Sequence, residues 1–177
     1  ESGSGLPGST MKKYKDHYFN RAKQEQYPAR SVYKLKEMDK RFQLLHKGQA
    51  VLDLGAYPGS WSMFAGNRVG AKGRVLRSYS GFHLVLSDMA PLTTGIKIRD
   101  QALSLELAER ALDCARDHLL TGGNVVIKVF EGPDIPDFRK ELKTVFYRVR
   151  SFKPKGSRSE SKENFLLGLG RREIDPD

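Results

Sequence analysis

Residues 51–61 read VLDLGAYPGSW, and the fold follows from how that stretch divides. Val51, Leu52 and Leu54 make a short apolar run of the buried-strand type. Gly55-Ala-Tyr-Pro-Gly59 breaks the run, and residues 60–64, SWSMF, open a helix for which Ser60 is the expected cap. A strand that passes through a glycine-bearing turn into a helix is how an open α/β sheet forms a pocket at its carboxyl edge. Gly55 and Gly59 permit positive φ and let a ligand approach the backbone closely. Asp53, at the strand tip, is placed to hold a cationic or hydroxyl-bearing group. The dinucleotide pattern Gly-x-Gly-x-x-Gly is absent, and Pro58 removes a donor where a phosphate would need one. A nucleoside without a pyrophosphate suits this turn better, which disfavours a nicotinamide-dependent dehydrogenase. The plainer alternative is a tight strand-to-helix turn that binds nothing.

Upstream, Pro28 suits a helix's first turn, and residues 28–42 read as an amphipathic helix. Its apolar stripe is Val32, Leu35, Met38 or Asp39, and Phe42, with Lys34 off the stripe. Residues 12–26 are basic and carry Tyr18 and Phe19. Aromatics among cations stack bases while their neighbours neutralise phosphates, or they pin a terminal helix to the core. Pinning is expected of Phe19. Residues 1–10, ESGSGLPGST, have the look of a tag remnant. That leaves a single domain over 11–177, with a basic helical extension at 11–48 and an α/β core at 49–170.

Downstream, residues 70–73 form a turn, 74–76 begin another strand, and 82–87, FHLVLS, are a strong buried strand ending at Asp88. Only residues 77–81 separate these two strands, whereas parallel neighbours need a crossover of about a dozen residues or more. Either 74–76 is not a parallel strand of this sheet, or residues are missing between Leu76 and Phe82. The second is the expectation. Residues 100–120 form a long helix with Ala102, Leu105, Ala108, Leu112 and Ala115 on one face, stopped by Gly122-Gly123. A central-type strand, NVVIKVF at 124–130, a helix at 134–146, and strands at 147–152 and 165–169 follow. The last two strands, joined by a basic loop at 153–162, make an antiparallel hairpin at the sheet edge. Alternating strands and helices imply an α/β fold with a mostly parallel, doubly wound sheet.

Hydrophobic residues at 38% and charged residues at 29% suit a soluble globular protein. No apolar run approaches the ~20 residues that span a membrane, and no secretory signal is visible, so a cytoplasmic protein is expected. The single cysteine, Cys114, fits a reducing compartment and reads as a core residue. No cluster has metal-ligand spacing, and no metal is expected. The net charge of +10 is unevenly placed: residues 1–50 hold 11 Lys and Arg against 5 Asp and Glu, residues 139–177 hold 11 against 6, and the middle holds 9 against 10. Basic flanks around a neutral sheet suggest a polyanion lying across the domain.

Four charges stand where a fold avoids them. Asp88 follows FHLVLS, Lys128 interrupts NVVIKVF, Glu163 precedes the last strand, and Lys34 leaves the apolar face of its helix. A lysine in a near-continuous apolar strand needs carboxylate partners, and Asp88 and Glu163 are the candidates. A buried ion pair with no catalytic value is the alternative.

With these residues in view, the chain resembles the FtsJ-type RNA 2′-O-ribose methyltransferases, class I enzymes with a Rossmann-like fold that use S-adenosylmethionine. The matching stretches are SVYKL (31–35), VLDLGAYPGSW (51–61), LSDMAP (86–91), VVIKVF (125–130) and SRSESKENF (157–165), in the family's order. The resemblance implies a catalytic Lys-Asp-Lys-Glu tetrad at Lys34, Asp88, Lys128 and Glu163. It further implies that Gly59, Trp61 and Asp88 touch the cofactor, with Asp53 and Gly55 shaping its pocket. Ribosomal RNA of the large subunit is the implied substrate; transfer RNA, or a non-catalytic RNA-binding assembly role, are the alternatives, and the protein itself is expected to be a monomer. Lys12, Lys13, Lys15, Arg21, Arg30, Lys155 and Arg158 are the candidate RNA-binding cations. Two departures stand out. Ser60 replaces a second glycine, and the acidic residues that bind the cofactor's ribose and adenine fall in the stretch between Leu76 and Phe82 that is expected to be missing.

Overall fold

The computed structural model describes residues 9–76, 81–155 and 162–173, without the side chains of 9–16 and 76. Its six strands are β1 (Ala50–Leu54), β2 (Arg74–Leu76), β3 (Phe82–Ser87), β4 (Leu119–Phe130), β5 (Phe146–Phe152) and β6 (Glu163–Arg171), in the sheet order β2-β1-β3-β4-β6-β5. Strands β1 to β4 are parallel, and β6 runs antiparallel between β4 and β5. The helices are α1 (Ser9–Gln24), α2 (Val32–Phe42), α3 (Ser60–Val69), α4 (Lys97–His118) and α5 (Ile135–Val145). This is the doubly wound α/β sheet with a C-terminal antiparallel pair that the sequence implies.

Strand alternation sends the side chains of β4 to two different cores. Val125, Ile127 and Val129 join Ala108, Leu112, Phe138 and Leu142 of α4 and α5 on one face. Val126 joins Leu84 and Leu86 of β3, Leu35 and Met38 of α2, and Trp61 and Ala65 of α3 on the other. Lys128 is two residues beyond Val126 and so lies on the α2–α3 face. The chain leaves β1 for β2 on one side and returns to β3 on the other, so the sheet reverses order between β1 and β3. A crevice opens at the carboxyl ends of strands flanking such a reversal.

Several expectations need correction. β2 is a parallel strand of this sheet, paired with β1, which sets aside the alternative that 74–76 lie outside the parallel sheet and leaves the expectation of missing residues uncorrected. The Gly122-Gly123 pair does not stop a helix but lies within β4, where a register shift between Phe82 and Leu84 absorbs extra residues and Gly122 takes φ 79°. Helix α4 begins at Lys97, and its buried face is Ser104, Ala108, Ala111, Leu112 and Ala115, leaving Ala102 exposed. Helix α2 begins only at Val32, because residues 28–31 approach it through turns. Ser60 is not the cap of α3. Gly59, at φ 106°, holds that place, and the Ser60 hydroxyl accepts the Ala29 N–H at 2.7 Å. The serine thereby ties the segment before α2 to the glycine turn. Phe19 is exposed, and Tyr18 packs toward Tyr33 in its place, with ring centroids 5.3 Å apart. Of the presumed tag remnant, Ser9 and Thr10 belong to α1, and residues 1–8 lie outside the described residues.

Candidate active site

The register of the sheet places the first charge pair. Ser87 is paired with Ile127, so Asp88 emerges beside Lys128. The Lys128 ammonium lies 3.0 Å from Asp88 Oδ1, and both side chains are largely buried. At that distance the two groups form a close ion pair inside the protein. Burial pushes the Asp88 carboxyl above its ordinary value, and the ammonium groups of Lys128 and Lys34 only partly offset that.

Lys128 is paired with Phe165 on β6, which puts Glu163 two residues along on the same face. Glu163 Oε2 lies 3.9 Å from the Lys128 ammonium, and its Oε1 accepts a hydrogen bond from Lys34 of α2. The four charges singled out in the sequence therefore form one alternating chain, Lys34–Glu163–Lys128–Asp88, spanning 129 positions between Lys34 and Glu163 alone. Phe165 floors this chain, with the Lys34 ammonium 5.9 Å from its ring centroid. Trp61 packs against Phe165 with ring centroids 5.8 Å apart and donates its indole N–H to the Ser31 carbonyl at 2.9 Å. Trp61 is thus beside the tetrad but buried, with its polar atom satisfied within the chain.

At the carboxyl end of β1, which pairs with β3, a cavity of about 390 Å³ is lined by Asp53, Gly55, Ala56 and Tyr57. Gly55 has φ 72°, and a Cβ there would meet Met89 Cγ at 2.7 Å, so both conformation and packing demand glycine. Gly59 faces open space, where a Cβ would meet nothing nearer than the Ala56 carbonyl at 4.0 Å. Asp53 is buried, and its Oδ2 accepts the Ser62 hydroxyl of α3 at 2.6 Å. The carboxylate braces strand tip against helix start while still lining the cavity. An uncluttered glycine turn, a carboxylate wall and a volume on the scale of a small-molecule site fit a nucleoside cofactor.

The RNA-binding candidates fare unevenly. Arg21 donates to Glu25 at 2.9 Å and lies over the Tyr33 ring, so it helps fasten α1 to α2. Lys36 completes that fastening, bonding Glu25 from beneath and lying 4.5 Å from the Tyr27 ring centroid. Arg30 is half-buried near the start of α2, and Lys155 is exposed at the stem of the basic loop. Lys12, Lys13 and Lys15 belong to α1 but their side chains lie outside the described residues, as does all of Arg158.

Three contributors escaped the sequence reading. Ser62 orients Asp53, Met89 covers Gly55, and Glu37 of α2 accepts the Lys155 backbone N–H through both carboxylate oxygens, at 3.0 and 3.2 Å. Ser62 and Glu37 sit on ordinary polar helix positions, so nothing in composition marks them. Only the spacing of Glu37, one helical turn after Lys34, hinted that it faces the same side. Among the described residues there is no cluster that would hold a metal ion, and no helix is long and apolar enough to cross a membrane.

Comparison with known proteins identifies the family and the fold. The family model for FtsJ-like methyltransferases matches residues 27–79 and 74–171. A ribosomal RNA large subunit methyltransferase E of Oleidesulfovibrio alaskensis is 50% identical over 193 aligned positions, covering 90% of this chain and 93% of that protein. A solved structure described as a ribosomal RNA methyltransferase from Plasmodium falciparum superposes with a TM-score of 0.71 at 23% identity, over 82% of this chain and 98% of that one. Aeropyrum pernix fibrillarin, solved with S-adenosylmethionine bound, shares the fold at a TM-score of 0.53 and 11% identity, over 71% of this chain and 68% of that one. The fold is accordingly the Rossmann-like one of class I S-adenosylmethionine-dependent methyltransferases. The 193-position alignment exceeds the 177 residues of the chain, so the relative carries residues that this chain lacks. The two segments of the family match meet at 74–79, where the link between β2 and β3 is too short for a crossover. With half of its residues shared with a curated relative and the family model matched across most of its length, the chain belongs to the FtsJ-like methyltransferase family.

Proposed function

We propose that this chain transfers a methyl group from S-adenosylmethionine to a ribose 2′-hydroxyl of large-subunit ribosomal RNA. The observation that carries the reading is the alternating chain Lys34–Glu163–Lys128–Asp88 at the carboxyl edge of the sheet, beside the cavity of the glycine turn. The names of the curated relatives support the RNA class. On this reading the protein acts as a monomer in the cytoplasm.

The bound cofactor supplies an electrophilic methyl on a sulfonium. Asp53, Gly55, Gly59 and the loop around Tyr57 would hold its nucleoside, with Trp61 stiffening the start of α3 behind the glycine turn and Asp88 touching the cofactor from the end of β3. The acceptor oxygen has to sit in line with the methyl, and such alignment supplies much of the acceleration. Lys128 is the group assigned to hold that oxygen and steer its proton away. Asp88 and Glu163 fix the ammonium, and Lys34 shares the charge of Glu163 so that Asp88 is the ammonium's closer partner. The four groups act as a coupled set. Tritiated methyl transfer to purified large ribosomal subunits, followed by mapping of the labelled ribose, tests the reading. Label on transfer RNA, or on a base, overturns it.

The short β2–β3 link favours one second reading, a non-catalytic RNA-binding assembly factor that kept the fold. Calorimetric titration with S-adenosylmethionine separates the two, because that role requires no binding even at millimolar cofactor.

A further inference from the structure

The segment between Asp88 and the first turn of α4 is built for something the tetrad does not use. Residues 92–99 read LTTGIKIR, and every one of them is exposed. Leu92 is 94%, Ile98 81% and Ile96 60% exposed, an uncommon density of aliphatic side chains in water for eight residues. The backbone beneath them is held in place. Asp100 accepts the Thr94 N–H at 2.7 Å, the Thr94 hydroxyl at 2.8 Å and the Gly95 N–H at 3.2 Å. Those donors keep the Asp100 carboxyl below its ordinary value. The aliphatic groups are thus presented by a fastened turn.

Charge identifies the occupant. No acid lies between Asp88 and Asp100, and Lys97 and Arg99 alternate with Ile96 and Ile98. Both cations stand in the first turn of α4, where a helix by itself favours anions. They are misplaced for the helix and well placed for a phosphate. Leu92 is four residues from Asp88, so it lies within about 14 Å of the tetrad. Met89, between them, rests on the glycine turn that also presents the 92% exposed Tyr57. Apolar faces interleaved with cations are what unpaired RNA requires, since its bases expose flat apolar faces along a charged backbone.

We infer that residues 92–99 form an RNA-contact surface that grips the nucleotides flanking the methylated one. Leu92, Ile96 and Ile98 lie against their bases, and Lys97 and Arg99 neutralise their phosphates. The inference deepens the proposed function and rests on it.

The test is fluorescence anisotropy with a labelled single-stranded RNA dodecamer and the same dodecamer carrying abasic riboses. The unaltered chain should bind the base-bearing strand about 10-fold more tightly than the abasic one. The variant L92S/I96S/I98S should lose that preference to within about 2-fold while keeping its melting temperature and its S-adenosylmethionine affinity. The variant K97Q/R99Q should weaken both strands alike and flatten the slope of log affinity against log salt by about 1.4, at ~0.7 per phosphate contact on single strands. A base preference that survives the triple substitution overturns the inference while leaving methyl transfer by the unaltered chain, and so the proposed function, intact. Binding of naked RNA unchanged but binding of whole large subunits lost assigns the surface to a protein partner and overturns it too. If the unaltered chain neither binds RNA nor methylates subunits, both readings fall together.

Discussion

Lys128 and Asp88 meet across two adjacent parallel strands, Nζ 3.0 Å from Oδ1, because Ser87 and Ile127 are in register one residue earlier. An ammonium in a strand whose other residues from Val125 to Val129 are all buried hydrophobics persists only where carboxylates meet it. The strand thus carries the cost of Lys128 at its carboxyl end, where Asp88 and Glu163 meet the ammonium.

Replacing Lys128 with alanine should abolish methyl transfer, at least about 10³-fold in rate, on the scale of a lost acid–base or orienting group. S-adenosylmethionine affinity should stay within a few-fold of the unaltered chain, because Lys128 does not line the glycine-turn cavity. The pair of measurements is a single-turnover methylation assay and a calorimetric titration. Loss of cofactor binding with loss of activity would make Lys128 a structural residue.

The raised Asp88 carboxyl fixes the sign of a pH effect. Its folded value lies above the unfolded one, so its contribution to stability is fully present below the unfolded value and is lost as pH rises through the folded value. Asp88→Asn removes that ionisation. The melting temperatures of variant and parent should therefore agree most closely near pH 3, with the variant gaining relative to the parent as pH rises toward neutrality. Differential scanning calorimetry across that range checks it. A parent that gains on the variant as pH rises would mean that attraction to Lys128 outweighs the burial of Asp88.

The strands carrying the tetrad were legible because buried strands leave a strong pattern. FHLVLS and NVVIKVF are nearly all apolar, so an Asp at the end of one and a Lys inside the other stand out. Glu163 and Lys34 stood out more weakly, as an acid before a strand and a lysine off an apolar stripe, and the motifs shared with a known family are what tied them to the other two. Helix ends were harder to read. Gly122-Gly123 has the composition of a helix stop, yet β3 pairs back to Leu119 and draws both glycines into β4. Ser60 has the composition of a cap, yet Gly59 already takes the left-handed conformation that opens α3, which frees the hydroxyl for Ala29. In both places a partner distant in sequence outcompeted a local preference.

Tyr33 offers a check on how α1 is fastened. Its hydroxyl is buried with no well-aligned hydrogen bond among the described residues, and burial first, then the nearby Glu25 carboxylate, pushes its ionisation up to about 12. Absorbance at 295 nm should reveal one tyrosine that stays protonated past pH 11, and Tyr33→Phe should remove it. The stability tied to this group is present below pH ~10 and lost as pH climbs through its folded value. Because burial outweighs the contact with Glu25, Tyr33→Phe should melt at or slightly above the parent temperature near pH 8. A clear drop would mean that the hydroxyl holds a partner.

Glu37 gives a prediction whose sign runs against simple electrostatics. Lys34 of α2 clasps Glu163, at one stem of the basic loop, and Glu37 one turn later clasps the Lys155 backbone at the other. Helix α2 therefore holds both stems. Removing an acid from a chain of net charge +10 should by charge alone tighten RNA binding. Releasing a stem should instead loosen it, because the cations of the loop must then be ordered anew on each encounter. Glu37→Ala is expected to raise the KM for large subunits about 5-fold or more, with kcat and S-adenosylmethionine affinity little changed and the salt dependence retained. Steady-state methylation at two ionic strengths reads all of these. Tighter RNA binding by the variant would show that bulk charge, and not the clasp, is what Glu37 contributes.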